Sequence, residues 1–198
     1  MLPTEGAGVV LKGNLVTLRP LVLEDAARTL RWRLSQRAEI LQEGARSEDD
    51  QRAWIAAHVS SRDELNFILE FRGAPVGMVA LHDIDPRNRS TAMGRLLIGE
   101  PAMVGQSPVF FESELLLSDY AFDELKMHKI YGDIMEVNVG MIRTRLYLGY
   151  RQDGILREHY FWKGTFKNAI AVSLLEDEYR AVCRPKLLQM ISFLSRLS

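Results

Sequence analysis

A chain of 198 residues with 47% hydrophobic composition can bury one substantial core and falls near the usual size of a single domain. Lys plus Arg (25) and Asp plus Glu (26) nearly cancel to a formal net charge of -1, which excludes a global field holding the chain on nucleic acid or an anionic membrane. The single cysteine, Cys183, excludes an internal disulfide and any multi-cysteine metal site; it reads as a packing residue and fits a reducing, cytoplasmic compartment. No apolar run approaches the roughly 20 residues of a membrane span, and residues 1–8 carry neither a basic nor an apolar leader pattern, so a soluble, untargeted chain is expected.

Residues 14–20 (Asn-Leu-Val-Thr-Leu-Arg-Pro) alternate apolar and polar positions and then meet a proline, the pattern of a half-buried first strand. From Glu24 the spacing becomes helical through Ala26, Leu30, Leu34 and Ile40, and an acidic start at 47–50 precedes Trp54, Ile55 and Val59, so two helices follow. Residues 66–71 and 76–81 flank Arg72-Gly73-Ala74-Pro75 as a hairpin of buried strands, and a turn over 83–90 leads to a third antiparallel strand at 93–99. Residues 111–125 carry apolar side chains at spacings of three and four, the clearest helix in the chain, and lead into a strand at 129–135. A helix over 139–148 is capped by Gly149, and a last hairpin of 154–160 and 169–174 turns around Lys163-Gly164. An amphipathic helix over 186–198 offers its apolar stripe to the domain's own core or to a second copy in a homodimer. With no repeat or linker, residues 1–198 read as one α/β domain, its core over 11–180 and a helical tail over 183–198.

The segment from Leu96 to Asn138 is a strand, a loop with Gly105, a helix, and a strand lying parallel to the first. Orphan N–H groups and the positive end of the helix dipole meet in that loop, where they can cradle a pyrophosphate.

Several pieces in this order resemble the GNAT acetyltransferase superfamily, over about residues 11–179. Leu11 to Ala26 is similar to the first strand and turn of the group that acetylates ribosomal-protein N-termini. Val76-Gly77-Met78 with Asp83-Ile84-Asp85 and Asn88-Arg89 resembles its hairpin. Residues 119–129, Asn138 and Gly149-Tyr150 resemble the acetyl-CoA half, and 154–169 the closing hairpin. The resemblance implies a mixed, mostly antiparallel sheet of six to seven strands with helices on both faces and a parallel pair at an acetyl-CoA cleft. It also implies an N-acetyltransferase that moves the acetyl group directly to a primary amine, without a covalent enzyme intermediate and without a metal. Trp32-Arg33, Ser47-Glu48 and Trp54-Ile55 resemble amino-sugar acetyltransferases, including those of the pseudaminic acid pathway, which tilts the acceptor toward a nucleotide-linked amino sugar.

Two departures from the family pattern stand out. Its pyrophosphate loop runs Arg or Gln, two residues, Gly, one residue, then Gly or Ala, where this chain has Gly105-Gln-Ser-Pro108-Val-Phe110. Proline removes an N–H donor and phenylalanine fills space that glycine leaves to backbone. The family's acidic tyrosine falls at Arg145, and Tyr147, two residues on, is rotated by about 200°. The resemblance assigns the cofactor to Met103, Val104, Gly105, Gln106, Ser107, Val109, Phe110, Asn138, Arg143 and Arg145, with the backbone N–H groups of Leu97 and Ile98 polarising the thioester carbonyl. Candidate bases are His82, Asp133 and Glu136, with Tyr147 as a candidate acid. An amino-sugar site would gather Trp32, Arg33, His159 and Tyr160 around a closed pocket, whereas a peptide N-terminus would need an open groove. A third reading is a non-catalytic acyl-CoA- or partner-binding module, with Pro108 and Phe110 filling the pyrophosphate position.

Overall fold

In residues 16–20, Val16 and Leu18 are buried, Thr17 and Arg19 are half-buried, and Pro20 stands at the strand's end. The computed structural model, which describes residues 8–41 and 44–197, places this strand second in an eight-stranded sheet. In chain order the strands are β1 (Leu11–Lys12), β2 (Val16–Pro20), β3 (Leu65–Phe71), β4 (Ala74–Asp85), β5 (Ser90–Ile98), β6 (Lys129–Met135), β7 (Arg151–Trp162) and β8 (Thr165–Leu175). Their spatial order is β1-β2-β3-β4-β5-β6-β8-β7, antiparallel throughout except for β5 with β6. The sequence pattern predicts seven of them; β1, at two residues, is too short to carry a period.

Among the described residues the helices are α1 (Ala26–Arg33), α2 (Glu48–His58), α3 (Pro101–Val104), α4 (Val109–Asp119), α5 (Val139–Leu148), α6 (Glu176–Glu178) and α7 (Arg184–Ser195). Successive strand residues point to opposite faces, so each face has its own core. Trp32 and Ile55 of α1 and α2 pack with Ile68, Met78 and Leu97 on one face. Leu117, Leu148 and Leu187 of α4, α5 and α7 pack with Phe67, Leu69, Val79 and Ile130 on the other. The tail thus covers the domain's own core, with Leu187 fully buried.

The helix predicted over 111–125 is α4 followed by a π-helical turn, Tyr120–Glu124, closed by Leu125 N–H donating to the Tyr120 carbonyl at 3.0 Å. Phe122 on that turn stacks on Tyr179 at 4.9 Å. Buried Glu112 of α4 accepts from the backbone N–H groups of Asn14 and Leu15, tying the β1–β2 turn to the helix. Residues 1–7, in the segment read above for a leader, and Ser198 of the closing helix lie outside the described residues. Among those described, no helix is long and apolar enough to cross a membrane, and no group of three or more His, Cys, Asp or Glu is placed to hold a metal.

Burial makes the stability of this fold sensitive to alkali. Desolvation pushes the Cys183 thiol up to about 12 from an ordinary 9.0, and burial also raises the Tyr150 and Tyr179 hydroxyls. Between the unfolded and folded values the unfolded chain holds fewer protons, so stability falls as pH rises. From about pH 8 to about pH 10.5 the thiol alone is expected to remove roughly 2 kcal/mol, read as a lower urea midpoint. An unchanged midpoint would refute this assignment.

Candidate active site

Parallel pairing of β5 with β6 runs only from Ser90 opposite Lys129 to Ala92 opposite Tyr131. Beyond that β5 stays with β4 and β6 with β8, so the sheet splays into a notch that begins between Met93 and Gly132. The splay has a local cause. Across from Met78 to Ala80 of β4, β5 spends one residue more, Leu97 back to Gly94, and Arg95 inside this bulge has φ 55°. Gly77 allows the strands to close up beside it, since a Cβ there would sit 2.3 Å from the Leu97 carbonyl oxygen. Backbone groups of residues 93–98 that face the notch have no ladder partner.

A cavity of about 600 Å³ passes through the notch. Its half on the α1–α2 face is lined by Arg33, Trp54, His82, Arg95, Asp133 and Tyr160; its half on the α4–α5 face includes Asn138, Met141, Arg145 and Tyr150. His82 of β4 lies against the bare backbone of Gly94, where an added Cβ would meet its Nε2 at 2.9 Å. Its Nδ1 is 2.9 Å from Asp83 Oδ2, so the ring is oriented from behind with Nε2 toward the notch. Asp133 of β6 accepts from the Tyr160 hydroxyl, and His159 Nε2 lies 3.6 Å away. Asn138 caps α5, its side chain accepting from Met141 N–H at 3.2 Å.

At the inner end, Arg145 is buried and donates to Glu114 of α4 and to the Tyr150 hydroxyl at 3.0 Å, while Tyr150 donates to Glu114 at 2.8 Å. Burial pulls the Arg145 guanidinium down, but the Glu114 carboxylate more than offsets it, so Arg145 keeps its charge. At the outer end, Arg95 makes a two-pronged pair with Glu64 (2.6 and 3.0 Å), donates to Asn66 at 2.8 Å and lies over the Trp54 ring at 5.4 Å. Burial, then the charge of Arg95, lowers the pKa of Arg33.

The sequence-derived candidates divide accordingly. His82, Asp133, Asn138, Arg145, Arg33 and Tyr160 share the cavity. Glu136 is engaged by the backbone and side chain of Asn168 at 3.1 and 3.0 Å. Tyr147 is 49% exposed on the far side of α5, its hydroxyl 3.8 Å from Met190 Sδ and Lys186 over its ring. Trp32 is a core residue packed on Gly99, its indole N–H donating to Glu100 at 2.8 Å, and the tryptophan that lines the cavity is Trp54 instead. His159 reaches the site through Asp133, 3.6 Å from its Nε2, and through the Tyr160 ring, which it meets edge-on at 4.8 Å, and Arg143 is exposed on α5.

The loop into α4 holds the remaining candidates. Leu97 and Ile98 lie on the splayed end of β5, and Met103 and Val104 form the short α3 that the sequence pattern reads as loop. Gly105 has φ 55° with open space where a Cβ would stand, and Gln106 is exposed. Ser107 spends its hydroxyl on the Val104 carbonyl at 2.6 Å. Pro108 occupies the N-cap of α4, Val109 is buried, and Phe110 packs edge-on to Phe111 at 5.0 Å. Arg95, Glu114 and Tyr150 were missed as site residues. Gly94 inside a strand pattern was the available signal for a bulge beside Arg95.

A family model described as an acetyltransferase (GNAT) domain matches residues 16–151. The spermidine N(1)-acetyltransferase of Escherichia coli (strain K12) is 27% identical over 124 residues, 63% of this chain and 65% of that protein, so the match spans less than two thirds of the relative. The probable N-acetyltransferase YjcK of Bacillus subtilis (strain 168) is 26% identical over 191 residues, 85% of this chain and 98% of that one. Among solved structures, a GCN5-related N-acetyltransferase from Brucella melitensis shares the fold with a TM-score of 0.77 at 23% identity, covering 91% of this chain and 84% of that one. A spermidine N-acetyltransferase chimera from Vibrio cholerae and hSSAT superposes with a TM-score of 0.77 at 22% identity, over 85% of this chain and 99% of that one.

Proposed function

The chain belongs to the acetyltransferase (GNAT) domain family, and on that premise we propose that it transfers an acetyl group from acetyl-CoA to a primary amine on a small molecule. The observation that carries this reading is the cavity through the notch, with His82 on β4 and Asp133 on β6, on either side of β5, whose edge toward β6 is unpaired beyond Ala92. Acetyl-CoA brings an acetyl group activated as a thioester. Residues 93–98 offer free backbone groups to an amide-bearing arm, with Asn138 and Met141 beside it. At the pyrophosphate end the fit is looser: the first N–H groups of α4 and the open Gly105 remain, but Pro108 has no N–H and the Ser107 hydroxyl is already used.

His82 Nε2 takes the proton from the attacking amine, held in its tautomer by Asp83. Asp133, fixed by Tyr160, orients the ammonium before that proton leaves. Arg145, paired with Glu114, lines the end of the cavity where negative charge develops and can offer a guanidinium N–H there. Among small amines we favour an amino sugar, in its nucleotide-linked form first. Trp54 and Tyr160 offer rings and Arg33 a charge, and the β7–β8 hairpin tip closes over the segment that roofs them. There the Trp162 indole donates to the Glu39 carbonyl at 2.8 Å and Lys163 Nζ meets the Glu39 carboxylate at 2.7 Å. That clasp weighs against a peptide N-terminus, which needs an open groove. Spermidine, named in the relatives, would have to set its ammonium groups beside Arg33 and Arg95.

Calorimetry with acetyl-CoA tests the reading. The natural chain is expected to bind with a Kd on the order of micromolar, and Pro108→Gly to bind about threefold to tenfold tighter, the worth of one restored N–H bond. Binding only by the glycine variant would favour a domain that keeps the fold without the activity. Binding by neither would overturn the proposal.

A further inference from the structure

We infer that Gln51 is a specificity-determining residue of the acceptor site, its side-chain carbonyl Oε1 accepting a hydrogen bond from a hydroxyl group that the acceptor carries alongside its amine. The inference rests on the acetyl-transfer reading and narrows its substrate class.

Gln51 stands near the start of α2, is 1% exposed, and reaches Thr29 of α1, its Nε2 lying 3.0 Å from the Thr29 Oγ1. Thr29 fixes which end of the amide it meets. Its hydroxyl proton goes to the Asp25 carbonyl at 2.9 Å, with the Ala26 carbonyl at 3.2 Å beside it, so toward Gln51 the oxygen can only accept. The NH2 end of the amide therefore faces Thr29, and the carbonyl end is directed elsewhere. There Oε1 finds no hydrogen-bond partner among the described residues. Nor is it sealed in, because the one side-chain polar atom among the described residues that is both shut off from the surface and unpartnered is the Ser118 hydroxyl on α4. The surface left to Oε1 is the cavity, whose wall Gln51 lines. Tying α1 to α2 uses only one end of this amide, and an acceptor held so deep costs free energy until a donor completes it.

The surroundings hold that acceptor in place. Trp54, one turn further along α2, lines the same cavity, with His58 stacked on its ring at 4.3 Å and Arg95 over the ring at 5.4 Å. Leu41 adds an apolar side chain on that face. Asp50 lines the cavity as well, but it is an exposed residue whose carboxylate takes the Ser47 hydroxyl at 2.7 Å. A neutral acceptor suits a neutral donor. An ammonium drawn to the depth of Gln51 would give up its water to an amide that offers no counter-charge, whereas a hydroxyl needs only the one oxygen. An acceptor with its amine toward His82 and Asp133 and a hydroxyl toward Gln51 is matched at both places, which a bare alkyl amine or a polyamine is not.

The test uses the full chain with acetyl-CoA and measures glucosamine and galactosamine, which carry hydroxyls, against cyclohexylamine, a ring amine without them, with spermidine as the polyamine. The quantity read is the kcat/KM of each sugar divided by that of cyclohexylamine, in the natural chain and in two variants. Gln51→Leu, close in size and leaving the Thr29 hydroxyl bonded within α1, should lower this ratio about 5- to 50-fold for at least one sugar, the effect of a hydroxyl left without its acceptor. Gln51→Glu, which keeps an oxygen at the same place, should retain most of it. Because both amines are read on one preparation, partial misfolding cancels from the ratio, and their different basicities cancel between chains. An unchanged ratio in Gln51→Leu, an equal fall in Gln51→Glu, or spermidine preferred over both sugars would overturn the assignment. If no amine is acetylated, acetyl transfer itself fails. Saturation-transfer NMR with the two sugars then still decides Gln51: a signal lost in Gln51→Leu and kept in Gln51→Glu upholds it, whereas no signal, or one that survives Gln51→Leu, overturns it.

Discussion

Replacing His82 by asparagine should lower kcat/KM for acetyl transfer by about 10²- to 10⁴-fold, the range contributed by a positioned general base. The expectation follows from geometry. Nδ1 is held by Asp83 at 2.9 Å, and Asp83 can present that carboxylate because aspartate tolerates its left-handed backbone, φ 50°. Nε2 rests on Gly94 at the point where β5 and β6 part, within the same cavity as Asp133. Asparagine keeps the size and polarity of the side chain but cannot take the proton. Acetyl-CoA affinity, read by calorimetry, should hardly change, because His82 stands on the α1–α2 face and the acyl arm is expected from the other. A loss under about fivefold would remove His82 from the base role. Asp133→Asn on the same acceptor provides the comparison, and a larger loss there would move the base across the notch.

The strands and helices and their order along the chain were legible because burial on one face imposes a period of two and burial of a helix stripe a period near 3.6. The first strand, the hairpin around Gly73, the helix over 139–148 with its Gly149 cap and the last hairpin all follow from that rule. The π-helical turn of Tyr120–Glu124 was not legible, because it answers to packing on Tyr179, 57 positions beyond Phe122, and not to local pattern. Of the site, residues on strand ends were legible by chemistry, and His82, Asp133 and Tyr160 do meet in one cavity. Trp32 and Trp54 were not separable, since both are aromatics at helical spacing. Which one faces the core is decided by Gly99, whose missing side chain makes room for the Trp32 ring. Arg95 escaped notice for a related reason: an arginine in a strand reads as a solvated residue until the bulge turns it onto Trp54 and Glu64.

The largest loss of stability is expected at Glu114. Its carboxylate is the counter-charge of Arg145, and the two side chains are 2% and 7% exposed. Glu114→Ala leaves a buried guanidinium unpaired, which costs about 3–5 kcal/mol, or a fall in melting temperature of roughly 6–20 °C for a chain of this size. Replacing all three members of the cluster, Glu114→Leu with Arg145→Met and Tyr150→Phe, removes every buried charge and hydroxyl together and should recover most of that loss. Activity should not recover with it. Arg145 lines the cavity as well as pairing with Glu114, so the triple variant keeps the fold but lacks the guanidinium donor at the inner end. Urea midpoints and kcat read on the single and triple variants separate the two roles: stability restored with kcat still low assigns Arg145 to the chemistry, whereas kcat restored with stability reduces the cluster to a packing device between α4 and α5.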